Sequence, residues 1–367
     1  MTLKVLVVDD SVVFRSVVRD LLNAQPDVSV VGVAANGRIA LRQVELLRPD
    51  LLTLDFEMPE LDGLGVLKAL KELGPHAPGA IMLSAFTRQG ARVTIEALHL
   101  GAFDFVPKPQ TSSPTESRHQ LQRTLVPKVE AFALARGLRR GKERAGTTGS
   151  AAAAGKSPSR AAGPASKVPV FKLQPQVVGI GVSTGGPEAL LHVIPRLPAD
   201  FPLPVLLVQH MPPVFTRSLA EDLDRRSRLR VCEAEDGQRV QRGWVYIAPG
   251  GKQMKVVQQG GQPTIRITDD PPVKSCRPSV DYLFESLAET YQGRVLAVVM
   301  TGMGDDGADG CQRLKAAGGT VIAQDRATCV VWGMPRAVVE RELADFEVPL
   351  DDIPAAILRC IRQKVLA

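Results

Sequence analysis

The stretch Val177-Val178-Gly179-Ile180-Gly181-Val182-Ser183-Thr184-Gly185-Gly186-Pro187 constrains the fold more than any other part of the chain. A short apolar run feeds a glycine-rich turn. Pro187-Glu188-Ala189-Leu190-Leu191 then reads as a first helical turn, with proline where its missing N–H costs nothing. Such a strand–turn–helix lifts one side chain to the carboxyl edge of a parallel sheet. The glycines allow close approach to the backbone and leave amide N–H groups at a helix start, where developing negative charge is stabilised. Ser183 at this turn reads either as a helix cap or as a nucleophile. A dinucleotide fingerprint fits poorly, because its third glycine falls on Thr184 unless a looser variant uses Gly185. The next strand, Pro204 to Gln209-His210, also ends in an imidazole where that ligand needs an acid.

The 367 residues suffice for two cores, and 44% hydrophobic with 23% charged residues is ordinary for a soluble globular chain. The opening apolar run, Val5 to Val8, is too short for a signal peptide and runs into Asp9-Asp10, so a cytoplasmic protein without membrane insertion is expected. The five cysteines, Cys232, Cys276, Cys311, Cys329 and Cys360, lie far apart and signal neither a disulfide framework nor a zinc site. The net charge of +6 is local. Residues 135–167 carry eight basic side chains against Glu143, a net of +7 that leaves the rest near −1. That segment has the Ala/Gly/Ser/Pro composition of a solvated tether and does not argue for nucleic acid.

Residues 3 to about 125 alternate strand and helix, the pattern of a parallel sheet covered on both faces. Asp9 and Asp10 end the first strand, Asp55 the third, Ser84 the fourth, and Lys108 follows the fifth. Clustered carboxylates at one sheet edge repel unless a hard cation neutralises them, which points to Mg²⁺ with a phosphoryl group nearby. These residues, in Val-Val-Asp9-Asp10-Ser, Leu-Asp55-Phe-Glu57-Met-Pro59-x-x-Asp62-Gly63, Leu-Ser84-Ala and Phe105-Val-Pro-Lys108-Pro, resemble the response-regulator receiver family. The resemblance implies a five-stranded flavodoxin-like sheet with Asp55 as phosphoacceptor. Mg²⁺ would be held by Asp10, Asp55 and the Glu57 carbonyl, with Asp9 beside them. Ser84 and Lys108 would sense the phosphoryl group, and Phe105 would move with Ser84.

Alternation resumes after Val177 and predicts a second open, doubly wound, mainly parallel sheet. Three of its strand ends carry Ser183, His210 and the pair Asp305-Asp306 in Thr301-Gly-Met303-Gly-Asp-Asp-Gly307. Acyl transfer needs an activated hydroxyl, an imidazole that takes and returns a proton, and a carboxylate that orients it. Spacing alone does not choose between Asp305 and Asp306.

Gly-Val-Ser183-Thr-Gly-Gly-Pro-Glu-Ala, Val-Gln-His210-Met-Pro-Pro, Arg277-Pro-Ser-Val-Asp281 and Ala323-Gln-Asp-Arg-Ala-Thr-Cys329 closely resemble the chemotaxis-type protein-glutamate methylesterases, a receiver linked to a catalytic domain. The implied organisation is a receiver over 1–125, a basic flexible linker over 126–174 and a methylesterase domain over 175–367. The resemblance assigns Ser183 as nucleophile, His210 as base and Asp306 as orienting acid. It puts the Met303 amide in the oxyanion hole and Thr184 beside the nucleophile. It implies hydrolysis of glutamate methyl esters and deamidation of glutamines on chemoreceptors, a partner histidine kinase, and no metal for the esterase step. It also implies that the unphosphorylated receiver covers the Ser183 edge and that phosphorylation shifts the domains apart. Cys276 and Gln253 stand where histidines are expected. The competing reading is a response regulator with a binding output, either a receptor-docking adaptor or a DNA-binding regulator; a large sheet without basic excess disfavours the latter.

Overall fold

The computed structural model describes residues 2–111, 113–137 and 173–362. In the N-terminal part, strands β1 (Leu3–Val8), β2 (Val28–Ala34), β3 (Leu51–Asp55), β4 (Gly79–Ser84) and β5 (Asp104–Pro107) alternate with helices α1 (Val12–Asn23), α2 (Gly37–Leu47), α3 (Gly63–Glu72), α4 (Arg88–His99) and α5 (Pro114–Ala135). The sheet order is β2-β1-β3-β4-β5, every pair parallel. Each helix starts on a polar cap, Ser11, Asn36, Asp62, Thr87 or Ser113, whose side-chain oxygen accepts an N–H that the helix cannot satisfy itself. The first unit runs past the expected boundary at 125. Helix α5 continues to Ala135 because Leu121, Leu125, Val126, Val129, Phe132 and Ala133 keep one face buried, and Pro127 does not end it. Of the expected linker, residues 138–172 lie outside the described residues.

The C-terminal part holds β6 (Val177–Val182), α6 (Gly186–Val193), β7 (Val205–Gln209), α7 (Phe215–Arg226), β8 (Arg230–Glu233), β9 (Trp244–Ile247), β10 (Gln253–Gln259) and β11 (Gln262–Thr268). It continues through α8 (Val280–Tyr291), β12 (Val295–Val299), α9 (Ala308–Ala316), β13 (Thr320–Gln324), α10 (Met334–Glu340), β14 (Phe346–Val348) and α11 (Ile353–Arg362). Seven of these strands form one parallel sheet in the order β14-β13-β12-β6-β7-β9-β8. The order reverses at β6, whose neighbours β12 and β7 lead their chains in opposite directions, so a crevice opens beyond its carboxyl end.

Helix α8 packs on β6 closely enough that glycine is required. A Cβ on Gly181 would stand 2.4 Å from a Val280 methyl, and one on Gly179 2.9 Å from Phe284. Strands β10 and β11 form a separate antiparallel hairpin closed by Gly260-Gly261, both at positive φ. This hairpin carries Gln253 to the site.

Candidate active site

Ser183 leaves β6 directly, and its backbone is tied on both sides. Its N–H donates to the Thr301 carbonyl at 3.0 Å, and its own carbonyl accepts from Gly186 N at 2.8 Å and Gln209 Nε2 at 2.9 Å. Gly185, at φ 75, makes the turn that starts α6. The loop after β12 lies against the serine: a Cβ on Gly302 would sit 2.8 Å from Ser183 Cβ, so only glycine lets the two strand ends meet. Thr184 is buried and its carbonyl accepts the Thr301 hydroxyl at 2.9 Å. Met303 is exposed, and its N–H has no acceptor among the described residues.

His210 follows β7, and its N–H donates to the Val182 carbonyl at 3.1 Å. Its ring lies 2.8 Å through Nε2 from Asp306 Oδ2. Of the two adjacent aspartates, Asp306 is the one that meets the ring. Asp306 is buried, whereas Asp305 is half exposed and pairs with Lys274 and Arg341. Asp306 Oδ1 also accepts from Ser279 Oγ at 2.8 Å and Asp281 N at 3.0 Å, and Oδ2 from Val280 N at 2.7 Å. Burial alone would raise this carboxyl, but the His210 hydrogen bond and charge, with the α8 N–H groups, hold it below the usual range. For His210, burial lowers the pKa; the hydrogen bonds to Asp306 and Cys276 outweigh it and carry the ring up to about 9. The ring is thus a strong proton acceptor with a fixed orientation. The Ser183 hydroxyl makes no hydrogen bond to it among the described residues, a looseness common before substrate completes a site.

Sequence reasoning missed the frame beneath Asp306. Ser279 caps α8 and binds Asp306 with the same hydroxyl. Buried Asp281 accepts from Gly307 N and Gly310 N and pairs with Lys274, fixing the turn into α9. Gln253, wholly buried, accepts from Ser279 N and donates to the carbonyls of Pro271 and Cys276. The motif Arg277-Pro-Ser-Val-Asp281 carried this signal, but the partners lie about 25 residues away in the chain.

In the N-terminal sheet, Asp9, Asp10 and Asp55 offer oxygens within 4.8 Å of one another. Lys108 Nζ reaches Asp9 and Asp55, each at 2.7 Å. Burial and the neighbouring Asp9 charge push Asp55 up to about 6, against the pull of Lys108. Burial likewise raises Asp9. One ammonium does not compensate three carboxylates, and this hard, oxygen-only donor set suits Mg²⁺. Glu57 and Asp62 line the same cleft. Ser84 Oγ is turned toward α4, where it accepts from Thr94 Oγ1 at 2.8 Å and donates to the Gly90 carbonyl at 3.2 Å. Phe105 is buried and stacks on Phe215, the first residue of α7, with centroids 4.5 Å apart.

A receiver-type sheet bearing an acidic edge is thus joined to a doubly wound sheet whose switch point gathers a serine, a histidine and a buried aspartate, the design of a response regulator fused to a hydrolase. Residues 5–118 match the response regulator receiver domain model and residues 178–357 the CheB methylesterase model. A protein-glutamate methylesterase/protein-glutamine glutaminase of Desulfotalea psychrophila is 46% identical, covering 98% of this chain and 99% of its own. One from Thermotoga maritima is 40% identical, with 98% of each chain covered. The solved Thermotoga maritima CheB methylesterase catalytic domain is 45% identical, with a TM-score of 0.50 over 51% of this chain and 99% of that one. This chain belongs to the CheB methylesterase family of enzymes.

Proposed function

We propose that the chain hydrolyses glutamate methyl esters, and deamidates selected glutamines, on chemoreceptor cytoplasmic segments, under control of phosphorylation at Asp55. The observation that carries the reading is the buried His210–Asp306 pair at the edge of the catalytic sheet where β6 runs into Ser183. Asp306 holds Nε2, which leaves Nδ1 as the nitrogen that takes the Ser183 proton. Ser183 Oγ then attacks the ester carbonyl, and the developing oxyanion takes the unused Met303 N–H. Collapse expels methoxide, which leaves as methanol with the proton from His210. Water, activated by the same ring, hydrolyses the acyl-enzyme to glutamate. An amide substrate follows the same path with ammonia leaving.

Phosphorylation is read from the other edge. Asp55 receives the phosphoryl group from a histidine kinase; Asp10, Asp55 and the Glu57 carbonyl, with Asp9 beside them, would hold Mg²⁺, and Lys108 and Ser84 would contact the phosphoryl oxygens. When bound, Mg²⁺ neutralises charge on the carboxylates and the phosphoryl group. Drawing Ser84 toward Asp55 breaks its bonds to Thr94 and Gly90 and frees Phe105 to leave Phe215, five residues after His210. Residues of α4, α5 and the α4–β5 connection also border Gly185, Pro187, Glu188 and Val330 beside the serine turn, which favours a covering role for the unphosphorylated receiver. The proposed units are a receiver, a tether and a catalytic domain from 175, acting in the cytoplasm where receptor segments and kinase would meet them. No helix among the described residues is long and apolar enough to cross a membrane.

Methanol release from methylated receptors tests the assignment. Ser183→Ala is expected to lose activity by about 10⁴-fold or more, and Asp55→Asn to lose stimulation by a phosphodonor. Full methanol release by the Ser183 variant would overturn the nucleophile.

A further inference from the structure

One thiol sits beside the catalytic ring with no role in the reaction. Cys276 Sγ lies 3.9 Å from His210 Nδ1 and 3.6 Å from the Lys274 carbonyl oxygen. The Lys274 carbonyl accepts from the thiol, and Nδ1 is the ring nitrogen that Asp306 leaves free. The thiol is held in place: Val273 and Cys276 exchange backbone hydrogen bonds around Lys274-Ser275, both at positive φ, and Gln253 Nε2 donates to the Cys276 carbonyl. The two positions where this chain departs from the expected histidines thus act together, Gln253 bracing the loop that presents Cys276.

We propose that Cys276 Sγ and His210 Nδ1 form an inhibitory site for a thiophilic divalent cation, Zn²⁺ above all. Tetrahedral zinc with ligands at about 2.3 Å for sulfur and about 2.0 Å for nitrogen sets those two atoms about 3.5 Å apart. The observed 3.9 Å closes to that by a small side-chain rotation. Asp306 on Nε2 supplies the carboxylate partner that metal-bound histidines take on their second nitrogen, and its three further donors keep it fixed. One ligand atom each from Cys276, His210 and Asp306 falls within 4.8 Å of the others. Binding releases the thiol proton and any proton on Nδ1 to solvent, and water fills the remaining positions. The cation then occupies the nitrogen that must accept the Ser183 proton, so the esterase stops. The carboxylate cluster at Asp55 is a poor competitor for a soft ion, since it offers oxygen alone.

The inference rests on the proposed role of His210, and the test separates the two. Full-length protein in excess Mg²⁺, which fills the Asp55 cluster, is titrated with Zn²⁺ while methanol release is followed. Cd²⁺ is titrated in parallel to read thiolate charge-transfer absorption. One equivalent of Zn²⁺ is expected to suppress methanol release, and a chelator to restore it. Cys276→Ala should bind Zn²⁺ at least about tenfold more weakly and lose the corresponding Cd²⁺ band, whereas Cys276→His, which restores a ligand, should keep Zn²⁺ inhibition. Equal inhibition of wild type and Cys276→Ala, or an unchanged Cd²⁺ band in that variant, overturns the site. Absence of methanol release from metal-free wild type instead overturns the esterase reading, while the Cd²⁺ band still reports the site.

Discussion

Asp55 and Asp306 occupy equivalent places, each buried at the carboxyl edge of a parallel sheet, yet they titrate in opposite directions. Asp55 stands among the Asp9 and Asp10 carboxylates with one shared lysine and the Phe56 N–H as donors, and burial lifts it to about 6. Asp306 is buried among three donors from the start of α8 and the His210 ring, and is held below its usual range. Burial is common to both; the supply of donors decides the sign. The first cluster shares one lysine among its carboxylates, whereas protein donors surround the second carboxylate.

Removing the charge should therefore act differently in the two places. The largest effect is expected at Asp306→Asn. The amide presents N–H where Val280, Asp281, Ser279 or His210 already donate, so activity should fall by about 10⁴-fold and stability by about 2–4 kcal/mol, read by methanol release and denaturant unfolding. Comparable activity in this variant would break the comparison. At Asp55→Asn the sign should reverse. The ionised carboxyl costs folding free energy at neutral pH, a cost relieved only as pH falls through about 6, so the neutral isostere should stabilise the receiver by roughly 1–2 kcal/mol after loss of the Lys108 ion pair. A lower melting temperature for this variant would show that Lys108 compensates both carboxylates.

The pH dependences sharpen the same contrast. Asp306, depressed in the folded state, contributes stability above the unfolded value of 3.8 that is lost as pH falls through its folded pKa. In the proposed mechanism His210 acts as a neutral base, and its pKa is raised, so the rate should climb with pH beyond the ordinary histidine value of 6.5. An acid limb centred on 6.5 would mean that Asp306 does not hold the ring as described. The smallest effect is expected at Ser279→Ala. It leaves the backbone donors to Asp306 but removes the hydroxyl bond, and should lower kcat by about tenfold while moving the acid limb of the profile.

Much of this is legible in the sequence. The alternation of apolar runs and amphipathic stretches dictates two parallel sheets, because each period matches one element and short connections force neighbours to align. Strand-end chemistry was legible too, since a residue that follows a buried run must emerge at an edge, which places Ser183, His210, Asp55 and Lys108. Local patterns did not disclose the hairpin β10–β11, whose seven-residue strands mix polar and apolar residues and lie off the main sheet. Nor did they disclose that α5 runs to Ala135, where buried packing sustains a helix through Pro127.

The sequence by itself determined the class of chemistry: which strand ends bear a hydroxyl, an imidazole and carboxylates, and that two α/β units bear them. Only the tertiary structure decided which aspartate serves His210, which nitrogen it holds, and that Cys276 lies against the other. The reason is physical. Adjacent aspartates are chemically identical along the chain and differ only in what surrounds them, and the donors that distinguish Asp306 come from a helix 25 to 27 residues away.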